Sequence, residues 1–338
     1  MVTIKQIASE VGVSSGTVSR VLNNDTTISV SEETRRSVIQ TARRLNYVNK
    51  GRKKSLKKTI KVAVLTVFSE INGTNDSYWR QIYLSIVQSA HSGKVIVDDA
   101  IRIHQGIDLK LLDNYDAIIV LGELTSTAIQ ELKKNNQHIV LVGSNQHYTD
   151  IDAVDPELQS MEKQILNKMY ISGRRNIGFI GGNNELLELD GSLKSTTDDV
   201  RSTVYREWVR QHNMTENMFI GDWRAETGST GTKVLLDQNK NLDALVVASD
   251  LIAIGAINTL KTKGLEPGKN IDVVSFDNLE LGSYLIPSLS SVDLNSNAIG
   301  KTALNQALEL VKGKRNWAVW SIVPSILKYR ETFNILVK

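Results

Sequence analysis

From Val62 to the C-terminus the chain alternates short apolar runs with amphipathic stretches, and that rhythm restricts the fold more than any other feature. VAVLTVF, AIIVLG, HIVLVGS, NIGFIGG, MFIGDW, ALVVAS and DVVSFDN are strand-length; YWRQIYLSIVQSA, TSTAIQELKKN and LIAIGAINTLKTKG have helical spacing. Strand–helix repetition builds parallel sheets flanked by helices, because each parallel connection must return across a sheet face. The region exceeds what one hydrophobic core usually organises, so it reads as an α/β core of two lobes with a cleft between them. No apolar run approaches a membrane span.

Residues 1–48 have a different texture. Thr3-Ile4-Lys5-Gln6 has the form of a capping box, the Thr3 hydroxyl capping a helix while Gln6 reaches back. Ile4, Ile7, Ala8 and Val11 follow at helical spacing. Gly12 supplies a turn, and Ser14 or Ser15 caps a second helix with Val18, Val21 and Leu22 on its inner face. Ser31 caps a third, whose Glu32 and Glu33 suit its N-terminus and whose Val38, Ala42 and Leu45 face a core. Helix, glycine turn, helix is the order of a helix-turn-helix, whose second helix sets its first side chains against base edges in the major groove. Those positions are Ser15, Gly16, Thr17, Ser19 and Arg20; Arg20 is able to fork onto a guanine, whereas Ser14, Thr17 and Asn23 suit phosphates.

Charge supports this division. Residues 1–61 carry 13 Lys and Arg against 4 Asp and Glu, a balance of +9, whereas residues 62–338 carry 27 against 33, a balance of −6. A basic head on an acidic body assigns polyanion binding to the head. There is no cysteine, which excludes disulfides and thiolate metal sites and suits a reducing cytoplasm. The opening MVTIKQIASEVG lacks the apolar segment of a signal peptide. His91, His104, His138, His147 and His212 lack metal-ligand spacing and read as surface or helix-end residues. Neither a nucleophile elbow, a phosphate-binding loop nor a zinc-protease motif is present, so no enzyme activity, cofactor or metal is expected.

TIKQIASEVGVSSGTVSRVLN followed by VSEETRRSVIQTARRLNYV resembles the head of the LacI/GalR family of transcriptional repressors, and GVSSGTVSRVLN matches the family's hallmark run nearly letter for letter. The resemblance extends over essentially the whole chain. It implies a helix-turn-helix DNA-binding domain over 1–48, a basic hinge over 49–61, and a two-lobed, periplasmic-binding-protein-like core over 62–338 that binds effector and dimerises. It places crossings between the lobes near 156–160, 288–292 and 321–324. It implies base contacts from Ser15, Gly16 and Arg20, and phosphate contacts from Ser14, Thr17, Ser19, Asn23, Ser31, Thr34 and Tyr47. Leu56 stands where family members wedge a leucine into the minor groove. The hinge departs from the family's Pro- or Ala-rich stretch, since Gly51 and crowded lysines precede that leucine. The implied assembly is a homodimer on near-palindromic operator DNA.

In such a core, ligands bind at the carboxyl ends of the strands. Asp277 ends VVSFD and matches the family's ligand-binding aspartate; its alternative role is to cap the next turn. Arg201 opens VRSTVYREWV and matches an arginine that forks onto ligand oxygens, with a salt bridge as the alternative. Trp223 lies in GDW, which a sugar-binding member shares at a place where the indole packs on the sugar ring; the alternative is a core tryptophan. Tyr78, Trp79, Ser249 and Asp250 occupy further ligand-facing positions of the family, and Leu294 makes one side of the cleft more apolar. Three aromatics with one Asp and one Arg favour a neutral sugar over a purine or an anion, and the GDW shared with a sugar-binding family member implies galactose or a galactoside. The resemblance then implies a repressor released by that sugar. Rival readings are a family regulator controlled by a co-repressor or partner protein, and a sugar-binding protein or sugar-processing enzyme without a DNA role.

Overall fold

The helices of the N-terminal unit begin where hydroxyls can cap them. In α1 (Ile4–Val11) the Thr3 amide donates to Gln6 Oε1 at 2.8 Å and the Gln6 amide to Thr3 Oγ1 at 3.3 Å, closing the capping box. Gly12 ends the helix at φ 76°. The cap of α2 (Ser15–Leu22) is Ser14, whose Oγ accepts the Thr17 amide at 3.0 Å. That of α3 (Glu32–Arg44) is Ser31, accepting the Thr34 amide at 3.1 Å. Ile7, Ala8, Val18, Val21, Val38 and Ala42 form the buried core, with Leu22, Leu45 and Tyr47 packed around it. Arg44 pairs with Glu10, tying the end of α3 to α1.

This unit is Met1–Lys58 and the second is Thr59–Lys338. The computed structural model describes residues 3–22, 28, 30–45, 47, 59–68, 77–90, 94–144 and 146–334. The expected contacts of Asn23 and Leu56, and hinge residues 49–58, lie outside the described residues.

The second unit holds two sheets. The first is built from β1 (Ile60–Thr66), β2 (Val95–Val97), β3 (Ile101–Arg102), β4 (Ala117–Leu121), β5 (Ile139–Val142), β6 (Asp152–Pro156) and β13 (Trp320–Val323). Its order is β13-β6-β5-β4-β1-β2, with β3 also paired to β1, and every pair is parallel. The second contains β7 (Ile177–Leu187), β8 (Leu193–Asp198), β9 (Met218–Gly221), β10 (Ala244–Val247), β11 (Asp272–Phe276), β12 (Ser290–Asp293) and β14 (Ile326–Lys328). Its order is β14-β12-β11-β10-β7-β8, with β9 also on β7; β8 and β14 are the antiparallel members.

Helices cover both faces of each sheet. On one face of the first lie α4 (Ser77–Ala90) and α11 (Ser296–Val311), on the other α5 (Ser126–Asn135). The second sheet carries α6 (Leu158–Ile171) and α7 (Val200–Gln211) on one face, and α8 (Ala225–Gln238) and α9 (Asp250–Thr262) on the other. A single turn, α10 (Glu280–Ser283), follows β11. Burial follows the strand period of two: Ala117, Ile119 and Leu121 of β4 join one cluster, Ile118 and Val120 the opposite one. Each fully buried aliphatic contributes ~1.5–3 kcal/mol.

The chain passes between lobes after Pro156, at 294–295, and at 324–325. The second passage lies beyond 288–292, because β12 stays in the second sheet through Asp293. The alternating runs give no strand for 183–198, yet β7 runs eleven residues to Leu187 and folds back as β8. Among the described residues no helix is long and apolar enough to cross a membrane.

Candidate functional site

In the head, the expected contact residues gather around two helix N-termini. Ser14 and Thr17 hydroxyls lie 2.9 Å apart at the start of α2, and Ser31 and Thr34 hydroxyls 2.8 Å apart at the start of α3. A helix N-terminus carries amides and partial positive charge suited to phosphate oxygens. Ser15, Gly16 and Arg20 are exposed along α2, whereas Thr17 and Ser19 are half-buried. Tyr47 is half-buried against the head core, and its amide donates to Ala42 O at 2.8 Å.

Between the lobes lies a cavity of about 1300 Å³, bordered by strand carboxyl ends and the loops that follow them. It brings together six of the seven expected residues: Tyr78, Trp79, Arg201, Trp223, Ser249 and Asp277. Trp79 stacks on Phe68 with ring centroids 4.6 Å apart and meets buried Tyr78 edge-on. The indole lies over Gly143, where a Cβ would come 2.4 Å from Trp79 Cη2. Across the cleft, Trp223 donates Nε1–H to Asn183 O at 2.9 Å, and its ring fills the space beside Gly182. Leu294 is buried and also borders the cavity.

Arg201 is a buried rather than a surface ion pair. Its Nε and Nη2 fork onto Asp199 at 2.7 and 2.9 Å, Nη1 donates to Ala248 O at 2.5 Å, and the guanidinium lies 5.2 Å from the Trp223 ring. Burial works against its charge, but the Asp199 carboxylate outweighs that effect and Asp277 adds to it, so the guanidinium stays protonated.

Asp250 is a correction. It is buried outside the cavity lining, where it accepts the Ser275 and Ser291 hydroxyls and the Leu279 amide, the last two at 2.6 Å. Burial pushes its pKa up to about 6 against the pull of those bonds. The network fixes the turn leaving β11, where Asp277 adopts φ 102° and Asn278 φ 49°. A non-glycine residue at positive φ persists only where its surroundings impose it, and such residues collect at ligand sites. Ser249 caps α9, its Oγ accepting the Ile252 amide at 3.2 Å, while still bordering the cavity.

His147 is exposed, as expected of a surface residue, and also borders the cavity. It bonds Asp155 through Nε2 at 2.7 Å and stacks on Trp320 at 4.9 Å. Burial raises the Asp155 pKa and the His147 hydrogen bond lowers it. Glu123, 3% exposed, is a further cavity carboxylate. The acids Glu123, Asp155, Glu157, Glu185, Asp199, Asp222, Glu226 and Asp277 outnumber the bases Lys163, Arg201 and Arg224. Such walls offer acceptors to hydroxyl groups and repel anions.

Residues 3–50 match the family described as bacterial regulatory proteins, lacI family, and residues 167–333 match the periplasmic binding protein-like domain. The transcriptional regulator GalR of Lacticaseibacillus casei is 30% identical over 308 residues, covering 90% of this chain and 91% of that one. Among solved structures, the lac repressor dimer bound to operator and the anti-inducer ONPF superposes with TM-score 0.66 at 21% identity, covering 98% of each chain. The transcriptional regulator CelR in its cellobiose complex superposes with TM-score 0.67 at 20% identity, covering 98% of this chain and 100% of that one.

Proposed function

Since the chain belongs to the LacI family of bacterial transcriptional regulators, it acts by binding DNA and is not an enzyme, and we propose that it is a repressor of sugar-utilisation genes released by galactose or a galactoside. The observation that carries the ligand class is the acid-rich, aromatic-walled cavity. Carboxylates accept from sugar hydroxyls, and Trp79, Tyr78 and Trp223 supply apolar faces of the kind that pack on a pyranose. A cavity of about 1300 Å³ has room for more than one ring, compared with ~300–1,000 Å³ for most small-molecule sites. The name of the GalR relative supports galactose chemistry, and the cellobiose complex of CelR supports a saccharide in a cleft of this fold.

In this reading two heads of a cytoplasmic homodimer occupy successive major grooves of a near-palindromic operator. Arg20 reads a guanine, Ser15 and Gly16 lie against base edges, and Ser14, Thr17, Ser19, Ser31, Thr34 and Tyr47 hold phosphates. Sugar binding favours a lobe arrangement with lower operator affinity, a coupling of ~1–3 kcal/mol. The test is a thermal-shift and operator-binding series on the full chain with galactose, lactose, cellobiose, galactose 6-phosphate and adenine. A rise in melting temperature and a loss of operator affinity with galactose or lactose, and with no other compound of the series, is the expected result. A response to the phosphate or the purine overturns the sugar assignment. Tighter operator binding with sugar makes the molecule a co-repressed regulator instead.

A further inference from the structure

The β7–β8 hairpin belongs to the second lobe by chain and by sheet, yet its tip is seated in the first. Leu187 and Leu189 are buried in the first-lobe cluster with Leu124, Ala128 and Ile129. The Thr125 amide donates to Leu187 O at 3.1 Å, the Ile107 amide to Leu189 O at 2.8 Å, and Thr125 Oγ1 to Glu188 Oε2 at 2.9 Å. The backbones approach so closely that a Cβ on Gly191, at φ +87°, would fall 2.7 Å from His104 O. One on Gly106 would lie 3.1 Å from Asp190 O. Glycine is required on both sides of that contact.

Nearer the cavity, Glu123 of the first lobe accepts from both strands of the hairpin. Asn184 Nδ2 of β7 donates at 2.9 Å and Thr197 Oγ1 of β8 at 3.1 Å. His104 Nε2 lies 3.4 Å from Glu185 Oε2 across the same boundary without forming a hydrogen bond. The three chain passages between the lobes are single backbone segments that a hinge motion can bend. The hairpin is a fourth, non-covalent connection, which any change of lobe angle must break or carry along.

We propose that this hairpin is an interlobe strap and that Glu123 is its ligand-sensitive catch. Glu123 lines the cavity, so a polyhydroxylated ligand there offers it hydroxyls in competition with Asn184 and Thr197. A ligand shifts a conformational equilibrium only by its differential affinity for the two states, and an engaged or released Glu123 supplies that difference. The inference rests on the sugar reading for the identity of the ligand, and on the hairpin contacts for the strap itself.

The chain has no cysteine, so in Thr125→Cys/Glu188→Cys only one intramolecular disulfide can form. Diamide is expected to close it in the full-length protein. Galactose or lactose, shifting operator affinity of the reduced form ~5–150-fold, is then expected to leave the oxidised form nearly unchanged. In parallel, sugar is expected to speed trypsin cleavage at exposed Lys194 of β8 in the unmodified chain. Glu123→Ala and Leu189→Ser are expected to be cleaved fast with or without sugar. An oxidised protein with an undiminished sugar response overturns the strap. Thiols that stay titratable after oxidation, together with unaltered cleavage of Leu189→Ser, overturn it as well. Sugar that raises the melting temperature but leaves cleavage at Lys194 unchanged overturns the catch. If no sugar acts on the unmodified chain, the ligand assignment falls, and disulfide yield and cleavage of Leu189→Ser still decide the strap.

Discussion

The head and the cavity use similar polar side chains against opposite electrostatic backgrounds. In the head, the Ser14–Thr17 and Ser31–Thr34 hydroxyl pairs sit at helix N-termini in a segment with a balance of +9 over residues 1–61. In the cavity, serine, asparagine and carboxylate groups converge where acids outnumber bases, and Arg201 is already forked onto Asp199. In the proposed function the same hydroxyl chemistry serves a polyanion in one place and a neutral polyol in the other. Charge background, more than side-chain type, separates the two ligand classes.

Salt gives the largest test of that contrast. If the head neutralises ~6–10 phosphates, operator affinity falls ~10³–10⁵-fold between ~50 and ~200 mM salt. Saccharide affinity in the same buffers is expected to stay nearly constant, since a neutral polyol releases no counterions. Parallel slopes for the two ligands, measured by filter binding and calorimetry, would remove the distinction. Within the cavity, Asp277→Asn takes away a charged acceptor while leaving a residue type that also tolerates positive φ. Sugar affinity is expected to fall ~10–150-fold, the equivalent of one charge-assisted hydrogen bond. Operator binding without sugar is expected to persist, and an unchanged sugar titration would take Asp277 out of the site.

What could be read from the residues was what local chemistry decides. Thr3 and Gln6 specify their capping box within one turn, and Ser31 specifies its helix start in the same way. Asp277 ends an apolar run, which places it at a strand's carboxyl end. Glu123 after AIIVLG and Asp155 at the end of β6 carry the same signal, and it points to both. Asp250 occupies an equivalent step but faces Ser275 and Ser291, an orientation set by neighbours distant in sequence. The hairpin had a local signature too: Asp190-Gly191 between LLEL and SLKS is a turn pair between strand-forming residues. That its leucines complete the core of the other lobe follows from no local pattern.

An acid away from the cavity wall makes a smaller test with a defined pH sign. Glu162 of α6 is fully buried, and neither carboxyl oxygen has a hydrogen-bond partner among the described residues. Burial drives its pKa well above the usual carboxylate range; Arg201 opposes this and Asp199 reinforces it. A carboxyl whose folded pKa lies above its unfolded value contributes stability at low pH and loses it as pH rises through the folded value, at up to ~1.4 kcal/mol per pH unit. Glu162→Leu removes the unpartnered acid at similar volume. It is expected to raise unfolding stability at pH 8 by ~1–3 kcal/mol, the gain shrinking toward pH 4. A gain independent of pH in denaturant titrations would mean that the acid is not held neutral.

Gly16 gives the finest test, because there the preference of the helix and that of its partner diverge. A glycine within a helix costs up to ~1 kcal/mol relative to alanine. A Cβ at Gly16 would meet only Ser14 Oγ, at an ordinary 3.6 Å, so no contact inside the head asks for glycine. The position is exposed on α2, one residue after Ser15. If that surface lies against base edges, the missing methyl is needed by the DNA. Gly16→Ala is then expected to raise the melting temperature of the head by the equivalent of ~0.5–1 kcal/mol. The same methyl, overpacking the interface by ~1–3 kcal/mol, is expected to weaken operator binding. A variant more stable and equally tight on operator would show that the start of α2 faces away from the bases, and the reading helix would then have to be sought elsewhere in the head.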